Sequence, residues 1–317
     1  MPDVGCAGLL VEDTFCGPLA ALPPAGALQV LDDMPVKAGG CAANVAINLA
    51  KQGITVDVVG CLGQDSAASV LLKTFAAHDI GCSRVTRLEG WRTSKTVILL
   101  IKGQDRRYLH VVGANGAFTV RHISRDWLSQ LKVFYLGGLF ALPGIDVDEL
   151  VGLLQFCQSA KVVTVVDVVA PQDLYGMTHL KPLLPLIDVF VPNEDEARAF
   201  TGLTDPSDQL RTFQSVGANT VIITRGAQGS IASRAGKTWS CGTYQMNVVD
   251  PSGSGDAFTS GVIQSILMGW DLPQTLRYAS AIGASVTRAA GTTDSVFSGS
   301  EAEAFLAKNP LTVTERH

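Results

Sequence analysis

The residues whose types and spacing could carry chemistry lie in one nine-residue stretch, DPSGSGDAF, from Asp250 to Phe258. A proline and two glycines let the backbone turn sharply before an apolar-periodic segment. The amides of Gly253, Ser254 and Gly255 are therefore expected to point into one concavity at the start of a helix. Unpaired N–H groups and the helix dipole favour a bound anion at such a place.

Asp256 closes the same stretch with a carboxylate where an anion is expected. A carboxylate beside a phosphate site repels the ligand, so its presence there suggests a chemical role. Accepting the proton of an attacking hydroxyl is such a role. An aspartate that begins a helix after a glycine turn explains the same residues without any ligand. The stretch alone therefore leaves phosphoryl transfer and a plain helix start open.

Composition narrows the class of protein. The 317 residues are 47% hydrophobic and 17% charged, which is typical of a well-buried globular enzyme. The net charge of −5 provides no basic field for nucleic acid or anionic lipid. The first residues lack the pattern of a signal peptide, and no apolar run reaches membrane-spanning length. The seven cysteines are scattered without a C-x-x-C pair, which favours reduced thiols in the cytoplasm over disulfides or zinc.

The elements that must position these residues alternate between strands and helices, which predicts a mostly parallel sheet. Strand candidates are 4–11, 55–59, 133–136, 162–167, 189–191 and 220–224, with a strand-like run at 244–249 before the nine-residue stretch. Helix candidates are 147–159, 194–201, 206–215, 257–270 and 273–289. Residues 14–37 and 91–113 interrupt this order, the second as a hairpin, and predict a small β-sheet lid. We expect one domain, 1–317, with the lid segments inserted.

Polar residues fall where strands of such a sheet end. Asp13, Asp167 and Asn193 each follow or close a strand candidate, and the carboxyl ends of parallel strands face ligands, although Asp13 also fits an ordinary turn. Asn193 and Glu196 lie three residues apart on one helical turn, where their oxygens suit Mg²⁺ held through water. A helix N-terminus with acidic residues favoured by the dipole explains this pair as well.

Two glycine-bearing segments add further candidates. Gly39 and Gly40 allow close backbone approach by a ligand, and Asn44 in the next helical turn offers a donor and an acceptor to a polyhydroxylated ligand. A packing face of small residues is the alternative there. The turn at 224–230 joins two strands and lacks the helix that a Rossmann fingerprint requires, so it also fits a plain hairpin.

Two of these patterns, Gly39-Gly40-x-x-x-Asn44 and Asp250-x-x-Gly253-x-Gly255-Asp256, resemble the signature regions of the ribokinase-like (PfkB) carbohydrate kinases. Further similarities occur in the family's order along nearly the whole chain: Gly8 with Asp13, Gly60-x-x-Gly63-x-Asp65, Gly113-Ala114-Asn115, Pro192-Asn193-Glu194-x-Glu196, Thr224-x-Gly226-x-x-Gly229 and Val286-Thr287-Arg288. Their shared order argues against coincidence.

The resemblance implies a three-layer α/β/α fold with a mostly parallel central sheet and a small β-sheet lid. It also implies ATP-dependent phosphorylation of a sugar-like hydroxyl, with Mg²⁺. Asp256 is then the general base, and the amides of Gly253, Ser254 and Gly255 form the anion hole. The resemblance assigns the substrate hydroxyls to Asp13, Gly39, Gly40 and Asn44. It assigns the nucleotide and Mg²⁺ to Asn193, Glu196, Thr224, Gly226 and Gly229.

The resemblance further implies a monovalent-cation site, with K⁺ as the candidate ion, at Asp250, Ser252, Ser285, Arg288, Gly291 and Ser295. The implied partner is a small sugar or nucleoside substrate rather than nucleic acid or a membrane. A homodimer formed through the lid and a cytoplasmic location complete the expectation.

Two departures from the family pattern bear on the substrate. Ribokinases usually have Lys after the paired glycines, where this chain has Cys41. They also have a substrate-binding Glu after the mid-chain strand, where this chain has Leu139-Phe140-Ala141-Leu142. The glycine motif is closer to fructokinase and keto-deoxy-gluconate kinase relatives. A nucleoside kinase, or a non-catalytic binding or regulatory protein on the same fold, is the alternative. A phosphosugar would need a cationic clamp, for which the lid offers Arg92, Arg106 and Arg107, although solvated lid charges explain these arginines too.

Overall fold

A computed structural model of the protein describes residues 1–169 and 176–316. The strands of its main sheet are β1 (Val4–Gly8), β4 (Val56–Leu62), β5 (Gly81–Arg87), β8 (Val133–Leu139), β9 (Val163–Val168), β10 (Val189–Phe190), β11 (Thr220–Thr224), β12 (Ser230–Arg234), β13 (Lys237–Cys241) and β14 (Val313–Arg316). Their order across the sheet is β14-β13-β12-β11-β10-β9-β8-β1-β4-β5. The strands from β11 to β5 run parallel, whereas β12, β13 and β14 continue the sheet in antiparallel pairs. The predicted mostly parallel sheet is confirmed.

Helices cover both faces of this sheet. They are α1 (Cys41–Lys51), α2 (Ser66–Ala77), α3 (Arg125–Leu128), α4 (Val147–Ala160), α5 (Met177–Leu180), α6 (Glu194–Thr201), α7 (Pro206–Ser215), α8 (Ser254–Leu267), α9 (Leu272–Val286) and α10 (Gly299–Lys308). Helices α3, α4, α6 and α7 bury their apolar sides in one core, and α1, α2, α8 and α9 bury theirs in a second core. The sheet lies between the two cores, which gives the three layers. Of the described helices, none is long and apolar enough to span a lipid bilayer.

A separate four-stranded sheet forms the lid. Its strands are β2 (Val11–Leu19), β3 (Val36–Gly39), β6 (Ser94–Ile101) and β7 (Arg107–Val111), in the order β3-β2-β6-β7. Asp13, Thr96 and His110 are paired across three neighbouring strands, so their side chains lie in one row on one face of the lid. The lid predicted from the two interrupting segments is confirmed, but it begins earlier, at Val11.

The path from the main sheet into the lid corrects one prediction. The run 4–11 is not a single strand, because β1 ends at Gly8 and the chain then crosses to β2 in the other sheet. Gly8 has φ +134°, and a Cβ there would lie 2.1 Å from the carbonyl oxygen of Gly137, so only glycine permits this exit. Asp13 therefore lies within a lid strand rather than at the end of a main-sheet strand.

The strand predicted at 244–249 is also wrong. These residues have no strand conformation in the structure, because β13 already pairs with β12 on one side and with β14 on the other. An alternating apolar pattern forms a strand only where it meets a strand edge, and the preceding strand β13 offers no edge to this segment. The segment instead lies beside the start of α8, where it lines a groove described below.

Candidate active site

The lid covers a cavity of about 740 Å³ at the carboxyl ends of the main strands. We call it the lid cavity. Its walls are largely apolar side chains, and a few polar groups converge at one end, among them Asp13, Asn44 and Asp256. A mostly apolar cavity with a few convergent polar groups is typical of a small-molecule site.

The start of α8 forms one side of this cavity. Gly253 has φ +76°, and a Cβ there would lie 2.2 Å from the carbonyl oxygen of Thr292, so the turn requires glycine. At Gly255 nothing lies within 4 Å of the Cβ position, so the helix start faces open space there. The Ser254 amide already donates to the Pro251 carbonyl at 3.3 Å. The first amides of a helix lack intrahelical acceptors, so an anion can be held at this open face.

Asp256 follows in the first turn of α8 and is held by a short chain of hydrogen bonds. Asn44 Nδ2 donates to Asp256 Oδ2 at 2.7 Å, and Thr292 Oγ1 donates to Asn44 Oδ1 at 2.8 Å. Burial raises the pKa of Asp256 to about 6, although the hydrogen bonds from Asn44 and Cys41 and the charge of Arg106 act in the opposite direction. A carboxylate with such a pKa is a suitable proton acceptor near neutral pH.

The backbone around Gly39 and Gly40 lets the other predicted substrate residues come close. A Cβ at Gly39 would lie 1.9 Å from the Asp13 carboxylate, and a Cβ at Gly40 would lie 2.5 Å from the carbonyl oxygen of Leu9. Gly40, with φ +87°, is the N-cap of α1 and directs Asn44 toward Asp256. Asp13, Gly40 and Asn44 line the lid cavity, whereas Gly39 serves to admit the Asp13 side chain.

Acidic side chains are concentrated around Asp256. Burial raises the pKa of Asp13 and of Asp167 to about 7 each, and the charge of Asp256 adds to both shifts. Asp167 accepts hydrogen bonds from the Tyr135 hydroxyl and from the Gly138 amide at 2.5 Å. Cys41 Sγ and single carboxylate oxygens of Asp167 and Asp256 lie within 4.8 Å of one another. The site therefore carries an excess of negative charge that a cation would relieve.

Asn193 and Glu196 form a capping box at the start of α6. The Glu196 amide donates to Asn193 Oδ1, and the Asn193 amide donates to Glu196 Oε2, both at 2.8 Å. Burial, with smaller contributions from Asp167 and Asp256, raises the pKa of Glu196 to about 8. The pair thus caps the start of α6, as the helix N-terminus interpretation predicted. It also lines the lid cavity, which the interpretation as a Mg²⁺ site requires.

A second opening lies behind the start of α8. This rear groove has a volume of about 290 Å³ and is lined by Thr224, Gly226, Gly229, Ser254 and Gly255, together with the segment 243–248. A smaller junction cavity of about 190 Å³ is lined by residues of the lid cavity and by Thr224 and Gly255 of the rear groove. The helix start and Asp256 therefore lie between two ligand-sized spaces.

The residues predicted to hold a monovalent cation fall into two bonded groups. Asp250 accepts from the Ser252 amide at 2.9 Å and from the Gly291 amide at 3.2 Å. The carbonyl oxygens of Ser285 and Ser295 instead accept from the Arg288 guanidinium, at 2.9 and 2.6 Å. An arginine thus already provides positive charge to two of the expected carbonyls.

Two lysines donate hydrogen bonds to the loop 290–294, which lies behind this site. Lys37 of β3 donates to the Ala290 carbonyl at 2.9 Å and to Asp294 at 2.8 Å. Lys51 of α1 donates to the Thr293 carbonyl at 2.7 Å. These contacts fix Thr292, which in turn positions Asn44 and limits the space at Gly253.

Some residues of the site could not be found from sequence motifs. Thr96, Tyr108 and His110 line the lid cavity, and the period-2 alternation of the hairpin was the signal that could have placed them on one face. Arg106 also lines it, whereas Arg92 and Arg107 are exposed. The interpretation of the three lid arginines as solvated charges is therefore wrong for Arg106.

Comparisons with known proteins identify the family and the fold of the chain. The model of the family described as pfkB family carbohydrate kinase matches residues 18–298. The chain is 26% identical to an ATP-dependent 6-phosphofructokinase of Thermoanaerobacterium thermosaccharolyticum, over 80% of each chain. It is 28% identical to a ribokinase of Haemophilus influenzae, over 79% of this chain and 81% of the relative. The solved structure of Arabidopsis thaliana ribokinase complexed with ribose and ATP superimposes with a TM-score of 0.82 at 21% identity, over 96% of this chain and 98% of that one.

Proposed function

Because the chain belongs to the pfkB family of carbohydrate kinases, we propose that it transfers the γ-phosphoryl group of ATP to a hydroxyl of a sugar or sugar-like molecule. The observation that carries the proposal is the Asp256 carboxylate. It is half-buried at the start of α8, is oriented by Asn44, and lines both the lid cavity and the junction cavity. A proton acceptor in that position lies between an acceptor molecule on one side and a nucleotide on the other.

The reaction assigns a role to each end of the site. Asp13 and Asn44 bind hydroxyls of the acceptor in the lid cavity, with Gly39 and Gly40 permitting close approach. Asp256 takes the proton of the reacting hydroxyl as its oxygen attacks the γ-phosphorus. The bond from that phosphorus to the β–γ bridging oxygen breaks, and ADP leaves with the electron pair. Negative charge on the transferring group is stabilised at the open helix start by the amides of Gly253, Ser254 and Gly255, of which the Ser254 amide is shared with the Pro251 carbonyl.

The nucleotide occupies the rear groove in this proposal. Thr224, Gly226 and Gly229 form its wall on the strand side, and the 243–248 segment covers the other side. The acids around Asp256 fit a divalent cation, because its positive charge would offset the electrostatic cost of ionising Glu196 and Asp167 in this poorly solvated site. Mg²⁺, when bound, would be held by Glu196 and Asn193 through water and would neutralise phosphate charge.

The monovalent-cation proposal rests on fewer groups. Ser252 Oγ is buried without a hydrogen-bond partner among the described residues, and it adjoins the Asp250 carboxylate in the same turn. Such an orphaned oxygen fits a K⁺ ligand beside Asp250 and Gly291. A carbonyl oxygen has two lone pairs, so that of Ser295 can still contribute beside Arg288. The Ser285 carbonyl already accepts from Arg288 and from the Ser295 hydroxyl at 3.0 Å, so it is the weaker candidate. Turnover that is equal in K⁺ and in Na⁺ would contradict this site.

The residues that line the far part of the lid cavity limit which acceptors can bind. Phe140 and Ala141 stand after β8, where a ribose-binding Glu is expected in ribokinases, and Ile98 and Val112 add apolar surface. The absence of that Glu disfavours ribose itself, and the form of the Gly39-Gly40 motif supports a fructokinase-like acceptor. A nucleoside is the second candidate, because a base would bury its faces against the same apolar wall. A non-catalytic regulatory protein would not require a buried carboxylate beside the anion site.

A homodimer formed through the lid is also proposed. Val36, Val97 and Leu109 form one row with Thr14 on the lid face opposite to the Asp13 row. Leu109 and Val111 are more than half exposed, which leaves apolar surface on that outer face. Leu109→Lys should convert a dimer to a monomer in sedimentation velocity, while a wild-type protein that sediments as a monomer would exclude it.

Two further proposals concern the whole chain. Residues 1–317 are proposed to form one domain, which a single cooperative unfolding transition would support and two separate transitions would contradict. The scattered unpaired cysteines support a cytoplasmic enzyme, because free thiols persist in a reducing compartment. Recovery of the protein from a compartment other than the cytoplasm in cell fractionation would overturn the second proposal.

The experiment that tests the function measures ATP consumption with Mg²⁺ and K⁺. The acceptor panel contains pentoses, hexoses, sugar acids, phosphosugars and nucleosides. One acceptor should give a high kcat/KM, and Asp256→Asn should still bind it but lose most turnover. A variant that retains near-normal turnover would contradict the general-base role. A folded wild-type protein that binds ATP but consumes none with any acceptor would favour a binding function.

A further inference from the structure

Lys37 connects the lid to the loop 290–294, which follows α9 in the chain. It lies in lid strand β3, where it is paired in register with Asp13 of β2. Its ammonium group donates to the Ala290 carbonyl at 2.9 Å and to Asp294 at 2.8 Å. A residue next to the proposed acceptor-binding strand therefore holds a loop that lies outside the lid.

The carbonyl contact of Lys37 is more important than its ion pair. Asp294 is 41% exposed, and an ion pair with a partly exposed carboxylate contributes little. The bond to the Ala290 carbonyl instead restrains the backbone just before Gly291 and Thr292. Lys37 therefore helps to set where the Thr292 side chain lies.

Thr292 extends this contact to the proposed base. Its hydroxyl donates to Asn44 Oδ1 at 2.8 Å, and Asn44 Nδ2 donates to Asp256 Oδ2 at 2.7 Å. A side-chain amide whose oxygen and nitrogen are bound to different partners is fixed in one orientation. A continuous series of contacts thus runs from Lys37 to Asp256, with the loop backbone as its middle part.

A comparison with Lys51 shows what the lid contact adds. Lys51 also binds the loop, through the Thr293 carbonyl at 2.7 Å, but it belongs to α1, the helix that carries Asn44. The Lys51 contact therefore moves together with Asn44. Lys37 belongs to the lid sheet, so its contact relates the position of Thr292 to the position of the lid.

We propose that Lys37 is a positioning residue, which orients Asp256 through Thr292 and Asn44 and makes that orientation depend on where the lid lies. The inference rests on the proposed kinase function, in which Asp256 is the base. A lid displaced from the site withdraws the Lys37 ammonium from the loop, and the Asn44 amide is then less firmly held. The base is therefore correctly oriented while the lid covers the acceptor.

The test follows the Asn44 amide and turnover in one set of variants. They are Lys37→Met, Lys37→Arg, Thr292→Val and the double variant Lys37→Met/Thr292→Val. Lys95→Met is the matched control, because Lys95 is a lid lysine whose ion pair, 2.9 Å from Glu12, lies within the lid itself. Circular dichroism and thermal melting verify that each variant is folded.

Heteronuclear NMR of the free protein measures the exchange of the Asn44 Nδ2 protons with water. This exchange should be about threefold to tenfold faster in Lys37→Met, the effect of one weakened hydrogen bond. The kcat should fall by a similar factor while the KM of the acceptor is unchanged. Lys37→Arg keeps its donors and should retain most of kcat. The double variant should lose no more than Thr292→Val, because both changes act on the same contacts. Lys95→Met should match the wild type.

The contrary outcomes are distinct. Equal exchange of the Asn44 protons in Lys37→Met and in the wild type would overturn the inference. Additive losses in the double variant would also overturn it, because Lys37 would then act by a route other than Thr292. A raised KM with unchanged kcat would replace it with a role in acceptor binding beside Asp13. A folded wild-type protein that consumes no ATP with any acceptor would overturn the proposed function, whereas the Asn44 exchange needs no ligand and would still decide whether Lys37 acts through Thr292.

Discussion

Removing the Asn44 side chain should change the pH dependence of turnover in a defined direction. Asn44 Nδ2 donates to the Asp256 carboxylate at 2.7 Å, and this bond lowers the pKa that burial otherwise raises. Asp256 must be ionised to accept a proton, so kcat/KM should rise as pH increases through its pKa of about 6. In Asn44→Ala the ionised form loses a donor, and the acid limb should move to higher pH.

The size of the shift follows from the bond that is lost. A hydrogen bond to a charged group is worth about 1.5–3 kcal/mol, and one pKa unit is about 1.4 kcal/mol, so the limit is about one to two units. Cys41 and Arg106 continue to stabilise the carboxylate, so the lower value, about one unit, is expected. The ratio of wild-type to variant kcat/KM should then be about fivefold larger at about pH 6 than at about pH 9.

The assay is kcat/KM for ATP consumption with the acceptor found in the panel, measured from about pH 5 to about pH 9. Loss of acceptor binding by Asn44→Ala lowers the whole profile and does not move its limb. Thr292→Val is the matched control, because it removes the bond to Asn44 Oδ1 and leaves the donor to Asp256 in place. It should move the limb less. A limb that stays fixed in Asn44→Ala, or moves to lower pH, would refute the reasoning.

Three more predictions concern the helix start and the acids around it. Gly253→Ala places a Cβ 2.2 Å from the Thr292 carbonyl oxygen at φ +76°, so it should lower the free energy of unfolding by about 1–3 kcal/mol. Gly255→Ala enters open space and should keep its melting temperature but lose turnover, and a normal turnover would remove the anion site from Gly255. Four acids of the site have higher pKa values in the folded chain than in the unfolded chain: Asp13, Asp167, Glu196 and Asp256. Their contribution to the free energy of unfolding is therefore complete at low pH and is lost as pH rises through about 6 to 8. Without divalent cation the melting temperature should therefore fall as pH rises over that range. The melting temperature of Glu196→Gln should fall less, and an equal fall would contradict the raised pKa of Glu196.

Local motifs predicted the part of the site that lies on one piece of backbone. Gly253, Gly255 and Asp256 are adjacent in sequence, and their roles at a helix start follow from glycine geometry and the helix dipole. Asn44 was singled out by its position after Gly40, and it contacts Asp256 because both lie in the first turn of their helices. Such residues can be predicted because each depends on one local conformation.

Features of the fold and site that depend on contacts between distant segments of the chain could not be predicted from the sequence. Asp13 was assigned to the wrong sheet because an apolar run does not show where Gly8 leaves the main sheet. The segment 244–249 has the pattern of a strand, but its conformation depends on whether an edge of the sheet is free. Arg106 and Arg107 are identical in type and adjacent, so only the alternation of β7 against the cavity distinguishes them.

The row of Asp13, Thr96 and His110 lies on the lid sheet, which contributes Val11 and Ala38 to the two cores of the main sheet. None of the three side chains belongs to either core, so replacing them changes the cavity wall without disturbing the packing around Asp256. Selection for a new acceptor can therefore act on these three positions of the lid while Asp256 and the start of α8 stay unchanged. Such a division between a variable wall and a constant centre lets one scaffold diversify by few substitutions, and it makes the inner face of the lid the place to begin redesign.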